Sequence, residues 1–487
     1  MSMSDCSRRL GIVLSIFAGA IAVFGLMLVP AGAQPDPAQA TTASGDSDGA
    51  DDLAVRIPAP PDCLAKVGNW AEPEKWAWQQ ICAREAIDFD ERYKKNGKKP
   101  EIDSLKSDPN RRLGASFVRE IFENPGLSSI AQNASIQIVG AYIPAIQLTD
   151  TTIGSLVLVD SQIGDISVEG GTILRSFRVA GSHVGDINLS RTKGGDISIS
   201  NSHSALFSGM LLNVGRLSTV GSTIGRFELR ISRLSQQLAI LSGSFTGILA
   251  DDVKSDGLFV RPQSVQSVSL NDYVDSGMFF LEVKKWAEEP SLKITTMTSG
   301  RFFLRSKIVP AKVSISGFSF AGGDWGDNPL PYLKANQPYN PALYTNLATS
   351  YAEAGQPDVA NSILVEKQNA EYGNTSSVLD KSYLFMTWLL ADYGYRPEIG
   401  LLWIIAFVLV SALIFKSGAH CIRQGNLPGN WFVFAFDSVI PGIQLNKEHA
   451  DVQFSGWRQG FLYFLRFLGA VVVVLVIEML KKSFNGL

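Results

Sequence analysis

The sequence predicts a mainly β fold, a solenoid with helical caps and with further helices at its C-terminal end, from three observations. Apolar residues recur at a strict spacing of five through the middle of the chain, large and small residues alternate between them, and long apolar segments lie near both ends. A spacing of five matches neither a helix nor a simple strand, and a fixed repeat is typical of a solenoid. The clearest run is Ile143, Leu148, Ile153, Leu158, Ile163, Val168 and Ile173.

The true repeat is about ten residues long. Two positions before each apolar member, small Ala141, Thr151 and Ser161 alternate with large Ile146 and Leu156. We expect both sets to point inward, while polar neighbours face water and Gly, Ser and Asp form the turns. A solenoid presents a regular surface rather than a pocket, so the pattern favours a scaffold or a binding module.

The N-terminal part predicts export. Residues 1–33 carry two arginines, an apolar run and small residues at the end, as in a signal peptide or a signal anchor. Residues 34–60 are rich in Pro, Ala, Ser, Asp and Gly and are predicted to be a disordered linker. Residues 61–130 are predicted to form a helical N-terminal cap, which a solenoid needs to cover its first coil.

Two cysteines lie close together in this cap. Cys63 and Cys82 bracket a short segment that is partly helical, on the side of the membrane where disulfides persist. We predict a disulfide between them; the alternative is two buried thiols.

The repeat resembles that of the pentapeptide-repeat proteins. The resemblance implies a right-handed, four-sided β-helix over residues 131–325, with the residues of the five-residue spacing pointing inward. The chain departs from the family in one respect, because every second member of the other inward set is large. A flattened or irregular right-handed β-helix is therefore the alternative.

Helices are predicted again beyond the repeat. Residues 326–395 have the pattern of a tetratricopeptide-like helical hairpin followed by an interfacial helix, and residues 396–487 the pattern of two transmembrane spans. Between the spans, the apolar segment 431–443 is too short to cross a bilayer and is predicted to be re-entrant or interfacial. A charge within such segments is costly unless it is paired, so we expect Asp437 and Arg466 to form a polar pair.

Three segments resemble a group of bacterial membrane proteins with an exported pentapeptide-like domain and two C-terminal spans. These segments are 63–90, 392–403 and 436–445. The resemblance implies a location in the bacterial inner membrane, with residues 34–395 on the periplasmic side.

Little in the sequence predicts chemistry. The 43 basic and 46 acidic residues give a net charge of −3 and no basic stripe, which argues against a nucleic-acid partner. The four histidines (His183, His203, His420 and His449) show no zinc spacing, and no motif predicts a cofactor, a metal or a catalytic residue. Asp165, Asp186 and Asp196 recur in Gly-Asp-Ile steps, which would suit a glycan-cleaving site but are also ordinary turn residues.

The sequence therefore predicts a non-enzymatic envelope scaffold or binding protein. Its expected partners are membrane lipid and a protein or cell-wall component, and oligomerisation is possible. An oligomeric pore is the alternative, because the order of span, short helix and span also occurs in channels. A glycan-active β-helix enzyme is a weaker third hypothesis.

Overall fold

The computed structural model describes residues 63–65, 69–94, 99–306, 308–326, 328–395, 397–417, 422–424, 428–440 and 445–485. The predicted signal segment 1–33 and linker 34–60 lie outside this part. The described residues fall into two compact units, one ending at Gly373 and the other beginning at Asn374.

The first unit contains a long parallel β-solenoid between helices. The helices are α1 (Glu72–Ala83), α2 (Phe89–Arg92), α3 (Ala115–Glu123) and α4 (Pro125–Asn133) before it, and α5 (Leu330–Ala335), α6 (Pro341–Glu353) and α7 (Pro357–Asn374) after it. The strands are β1 (Ile87–Asp88), β2 (Ser135–Val139), β3 (Tyr142–Thr149), β4 (Thr152–Val159), β5 (Gln162–Glu169), β6 (Thr172–Ala180), β7 (His183–Val184), β8 (Asp186–Asn188), β9 (Lys193–Ser200), β10 (His203–Met210), β11 (Asn213–Val214), β12 (Leu217–Val220), β13 (Thr223–Leu234), β14 (Gln237–Leu241), β15 (Ser244–Arg261), β16 (Ser264–Asn271), β17 (Val274–Leu281), β18 (Lys285–Thr295), β19 (Thr298–Leu304), β20 (Lys312–Ser316) and β21 (Ser319–Asp324).

From β2 onward, each strand pairs in parallel with a strand one coil further along the chain. Ile143 pairs with Ile163, and Ile163 pairs with Val184, so one coil takes 20 or 21 residues in this part. The last coils are longer, since Val274 pairs with Thr298. The solenoid has about nine coils. Two of the predicted ten-residue units therefore make one coil, which confirms the solenoid and explains the alternation of large and small residues.

Both predicted inward sets are buried. Ile143, Ile153 and Leu158 have no exposed side-chain surface, and the same holds for the large Ile146 and Leu156. Burying such a side chain contributes about 1.5–3 kcal/mol, and the repeat does so several times in every coil.

Small inward residues form a polar column inside the solenoid. In the column Ala141, Ser161, Ser182, Ser202 and Ser222, the backbone N–H of each of the first four residues donates to the hydroxyl one coil further on, at 3.1–3.2 Å. Each serine hydroxyl in turn donates to the carbonyl two residues before it, at 2.7–3.3 Å. Buried N–H groups must find acceptors, and a serine supplies one where the coil turns.

The coil turns sharply through residues with positive φ. These corner positions hold Gly140, Asp160, Gly181 and Asn201 on one side, but Arg191, Leu211 and Ile231 on the other. A β-branched residue such as Ile231, at φ 47°, is strained in this region because its side chain crowds the backbone.

The N-terminal cap is held by a buried cation. Arg111 is 3 % exposed, pairs with Asp90 and donates to the carbonyl oxygen of Gly140 at 3.1 Å. The guanidinium is thereby placed over the first turn of the solenoid, where it closes the otherwise open end.

Register shifts occur in the first coils, beside β6, and in the last coils, but the largest lies in β18. There the chain advances from Trp286 to Ser291 while β16 advances only from Val265 to Ser267.

The core of the last coils also holds a polar cluster. Tyr273 Oη lies 2.8 Å from Ser255 Oγ, while Asp275 accepts from Gly277 N and Ser299 Oγ. Burial raises the pKa of both Tyr273 and Asp275, which favours the neutral forms of both groups.

Helices close the C-terminal end of the solenoid. The Tyr351 hydroxyl on α6 accepts from the backbone N–H of Trp325 at 3.0 Å and donates to the carbonyl oxygen of Gly326 at 2.9 Å. The helices α6 and α7 are joined through Gly355, at φ 77°, where the sequence predicts a glycine turn.

The second unit is helical. It contains α8 (Val378–Ala391), α9 (Pro397–Ser417), α10 (Trp431–Val439) and α11 (Trp457–Asn485), with a short antiparallel pair of strands, β22 (Ile422–Gln424) and β23 (Gln453–Phe454). Phe415, Phe434 and Phe454 meet in its core. Gly469 of α11 lies directly against the carbonyl oxygen of Val439, where any side chain would collide.

The two predicted transmembrane segments are helical, within α9 and α11. Among the residues that the structure describes, however, no helix combines the length and the hydrophobicity needed to cross a membrane. The structure therefore shows a helix at each predicted span, and it does not show that either helix crosses a membrane.

Candidate binding surface

The structure joins Cys63 and Cys82 in a disulfide, with their Cα atoms 5.8 Å apart. Both residues are buried, and the indole N–H of Trp78 donates to the carbonyl oxygen of Cys63 at 3.0 Å. The bond fastens the segment Cys63–Ala65 to α1, so its place is in the cap and not in a reactive site.

Asp437 has a different partner from the predicted Arg466. Its carboxylate accepts from the backbone N–H of Leu445 at 2.9 Å, from that of Asn446 at 3.2 Å, and from His449 Nδ1 at 2.8 Å. Leu445, Asn446 and His449 lie beside α10 and supply these donors, so the carboxylate of Asp437 is satisfied without Arg466. Arg466 is exposed and has no ion pair with Asp437 in the described part of the chain.

The repeated aspartates lie within strands, in β5, β8 and β9, and not in turns. Asp165 accepts from the backbone N–H of Asp186 at 3.0 Å, and Asp196 accepts from that of Arg216 at 2.9 Å. Asp196 belongs to another side of the coil, since it pairs with Ser176. The three carboxylates are therefore not gathered in one site, and the contacts of Asp165 and Asp196 link adjacent coils.

The histidines are dispersed. His183 lies 2.8 Å from Asp103 of the cap and packs against the ring of His203, with 5.1 Å between ring centroids. His449 binds Asp437, and His420 lies outside the described residues. Among the residues that are described, no three His, Cys, Asp or Glu side chains lie together as metal ligands.

The outward positions of the solenoid form two broad faces of different chemistry. We define the polar face by the column Ser167, Asn188, Ser208, Glu228, Leu249, Ser269 and Lys293. We define the aromatic face by the column half a coil away, Val157, Arg178, Ser198, Ser218, Ala239, Phe259, Phe280 and Phe303.

Three phenylalanines stand in register on the aromatic face. Phe259 pairs with Phe280, and Phe280 pairs with Phe303, so the rings follow one another up the last coils. The rings of Phe280 and Phe303 are stacked with 6.2 Å between centroids. All three side chains are half-buried, although they lie on the outside of the coil.

Charged side chains border these rings. Arg261 pairs with Glu282 at 2.8 Å, and its guanidinium lies 5.2 Å from the ring centroid of Phe280. Arg305 pairs with Asp324 at 3.3 Å. Arginine and aromatic side chains are enriched among the residues that contribute most to binding energy at protein interfaces.

The sequence does contain a signal for this surface. In a half-buried strand apolar residues alternate with polar ones, but Phe279-Phe280 and Phe302-Phe303 are adjacent pairs. Phe279 and Phe302 are fully buried, so the second phenylalanine of each pair must point outward. The five-residue pattern weakens in this region, which is why sequence reasoning missed it.

No family model, no curated protein and no solved structure matches the chain. The surface itself must therefore support any functional conclusion.

Proposed function

We propose that the chain is a non-enzymatic scaffold, in which the solenoid binds a protein on its aromatic face and the helical unit attaches the molecule to a membrane. The observation that carries the proposal is the column of Phe259, Phe280 and Phe303 with its bordering arginines. Inward phenylalanines are explained by the core, whereas the core does not require the outward ones, which leave part of their apolar surface in water.

Membrane attachment is supported by the surface of the second unit. Four residues along one side of α9 are each 50–68 % exposed although they are large and apolar: Leu402, Ile405, Leu409 and Leu413. Further exposed apolar side chains follow on α11: Tyr463, Phe464, Phe467, Val474 and Ile477. Surfaces of this kind mark contact with lipid or with another protein.

The finer parts of the proposal follow the sequence. We infer right-handed winding, because parallel strands joined within one sheet almost always cross over in that hand. We also infer a bacterial inner membrane with the solenoid on the periplasmic side, from the resemblance to a group of bacterial membrane proteins and from the apolar segment within residues 1–33.

Docking can be tested with a photo-crosslinking amino acid. Benzoylphenylalanine placed at Phe280 in cells should give one discrete protein adduct, while the same residue at Ser208 on the polar face serves as the matched control. Equal labelling at the two positions, or a cell-wall adduct at Phe280, would refute a protein-docking face.

Attachment can be tested by flotation with liposomes. The variant Ile405→Glu/Leu409→Glu should lose more than tenfold of its membrane binding, because a carboxylate costs several kcal/mol in lipid. Ile308→Glu, at an equally exposed isoleucine of the first unit (51 %), is the control and should bind normally. Unchanged flotation of the double variant would rule out attachment through α9.

A further inference from the structure

The aromatic face has a surface pattern that fits another copy of itself. The size and the charge of the outward residues change from one coil to the next along this face. The residues that follow one another in register are Ser218, Ala239, Phe259, Phe280, Phe303 and Asp324. The column beside it contains Val220, Leu241 and Arg261 in register, and Glu282 and Arg305 lie one residue beyond the paired Leu281 and Leu304.

We propose that the partner on the aromatic face is a second copy of this chain, packed face to face with its solenoid running in the opposite direction. This inference rests on the proposed function, since it names the occupant of the same face. The two-fold axis runs along the strand direction, across the coils, between the levels of Phe259 and Phe280.

With this axis, each column of one copy faces the same column of the second copy, and the coils of the two copies run in opposite order. Phe259 then meets Phe280 of the second copy, and the small Ala239 meets the large Phe303, so the rings have space to interdigitate. Beside them Arg261 meets Glu282, which places opposite charges together twice, once on each side of the axis. At the ends of the contact, Ser218 meets Asp324 and can donate a hydrogen bond to it.

Charge selects this arrangement over the parallel one. With the solenoids parallel and the two-fold axis along them, the column of Arg261 would face the column of Met278 and Arg301, and Arg305 would meet Arg301 of the second copy. Like charges at an interface cost affinity, whereas the antiparallel register pairs Arg261 with Glu282.

The small area of the two facing surfaces predicts that the dimer is weak in free solution. A level of five residues covers roughly 80 Å², because strands lie ~4.8 Å apart and rise ~3.3 Å per residue. Six facing levels therefore bury on the order of 900 Å² in total, which is at the low end for specific association. Attachment of both copies to one membrane raises their effective concentration and compensates for the small area.

The decisive experiment mixes two charge-reversal variants of the full-length protein in mild detergent. Arg261→Glu and Glu282→Arg each place like charges opposite one another in a homodimer, so each variant alone should dimerise at least tenfold more weakly than wild type. In a mixed dimer, one contact joins the two substituted side chains and the other joins the two native ones, so opposite charges meet at both contacts. Association should then return to within about threefold of wild type. Pairing within one chain cannot explain this rescue, because each variant loses its own Arg261–Glu282 pair.

A crosslink fixes the register independently of those charges. In a background of Cys6→Ser and Cys421→Ser, a Ser218→Cys variant mixed with an Asp324→Cys variant should be joined by a bismaleimide that bridges two packed sheets, which lie ~10 Å apart. Ser218→Cys alone should not crosslink, because the two copies of this residue lie five levels apart, about 24 Å.

Sedimentation equilibrium measures the dimerisation of the charge-reversal variants, and gel mobility detects the crosslinked product. A wild-type protein that stays monomeric in detergent and at membrane density, a mixture that associates no better than its components, or a Ser218→Cys self-crosslink would each overturn the dimer. If benzoylphenylalanine at Phe280 then captured a different protein, the aromatic face would still be a docking face. Only the proposal that a second copy occupies it would be wrong.

Discussion

The polar face and the aromatic face are built on the same coils, half a coil apart, yet their outward residues differ, most of all in the last coils. Inward positions are restricted by packing, so both halves of each coil bury the same kinds of side chain. Outward positions are free of that restriction. One face has a column that ends in Leu, Ser and Lys, and the other has a column with three phenylalanines. We interpret this difference as a difference in what each face contacts.

The sharpest test of this comparison uses the adjacent pair Phe279 and Phe280. Phe279 is fully buried, so Phe279→Ala should lower the free energy of unfolding by about 3–5 kcal/mol. Phe280→Ala should cost less than about 1 kcal/mol and should instead weaken association. Denaturant unfolding of both variants measures the difference. Equal losses of stability would mean that Phe280 is a core residue and that the aromatic face is part of the fold.

A smaller effect is expected when an inward serine, Ser202, is compared with an outward serine, Ser198. Ser202 accepts from Ser182 N and donates to the carbonyl oxygen of Ser200, so Ser202→Ala should cost about 1–3 kcal/mol by leaving a buried N–H unpaired. Ser198→Ala, on the aromatic face of the neighbouring strand, should be neutral within about 0.5 kcal/mol. A neutral Ser202→Ala would show that the internal serine column does not hold the coils together.

The corner between the two faces offers a gain in stability. Ile231 has φ 47°, which costs about 1–3 kcal/mol for a residue of this type, whereas glycine accepts it freely. Ile231→Gly should raise the free energy of unfolding by about 0.5–1 kcal/mol after the entropic cost of glycine. The thermal midpoint is the measurement, with Ser235→Gly as a control that should not stabilise. A fall in the midpoint would show that the Ile231 side chain contributes more than its backbone costs.

The smallest expected effect is a dependence of stability on pH that comes from the last coils. Burial raises the pKa of Asp275 above its usual 3.8, so its contribution to stability is complete below that value and is lost as the pH rises through the folded pKa. Relative to Asp275→Asn, the wild type should therefore lose stability as the pH rises above 3.8. Parallel stability profiles for the two proteins would exclude a buried, titrating Asp275.

The solenoid could be predicted from the sequence because packing dictates it directly. Ile143, Leu148 and Ile153 follow a period that no other fold explains, and the serines of the second set lie where the coil needs small residues. The two C-terminal helices could be located for the same reason, from their uninterrupted apolar runs.

The candidate surface could not be derived in the same way. Phe280 and Phe303 stand outward only because their neighbours fill the core, and their alignment depends on register shifts in β17 and β19 that no local pattern encodes. The partner of Asp437 was missed for a related reason. His449 lies between the two apolar helices, in a segment with no recognisable pattern, whereas the cost of an unpaired charge in an apolar segment favoured Arg466.

The most direct measurement of the central claim is hydroxyl-radical footprinting of the full-length protein in native membranes and after purification and dilution. Phe280 and Phe303 report on the aromatic face, and Met210, which is 44 % exposed beside the polar face, provides the internal reference. We expect the two phenylalanines to be protected several-fold in the membrane sample, while Met210 is modified equally in both. Equal modification of Phe280 and Phe303 in the two samples, or equal protection of Met210, would contradict a docking face.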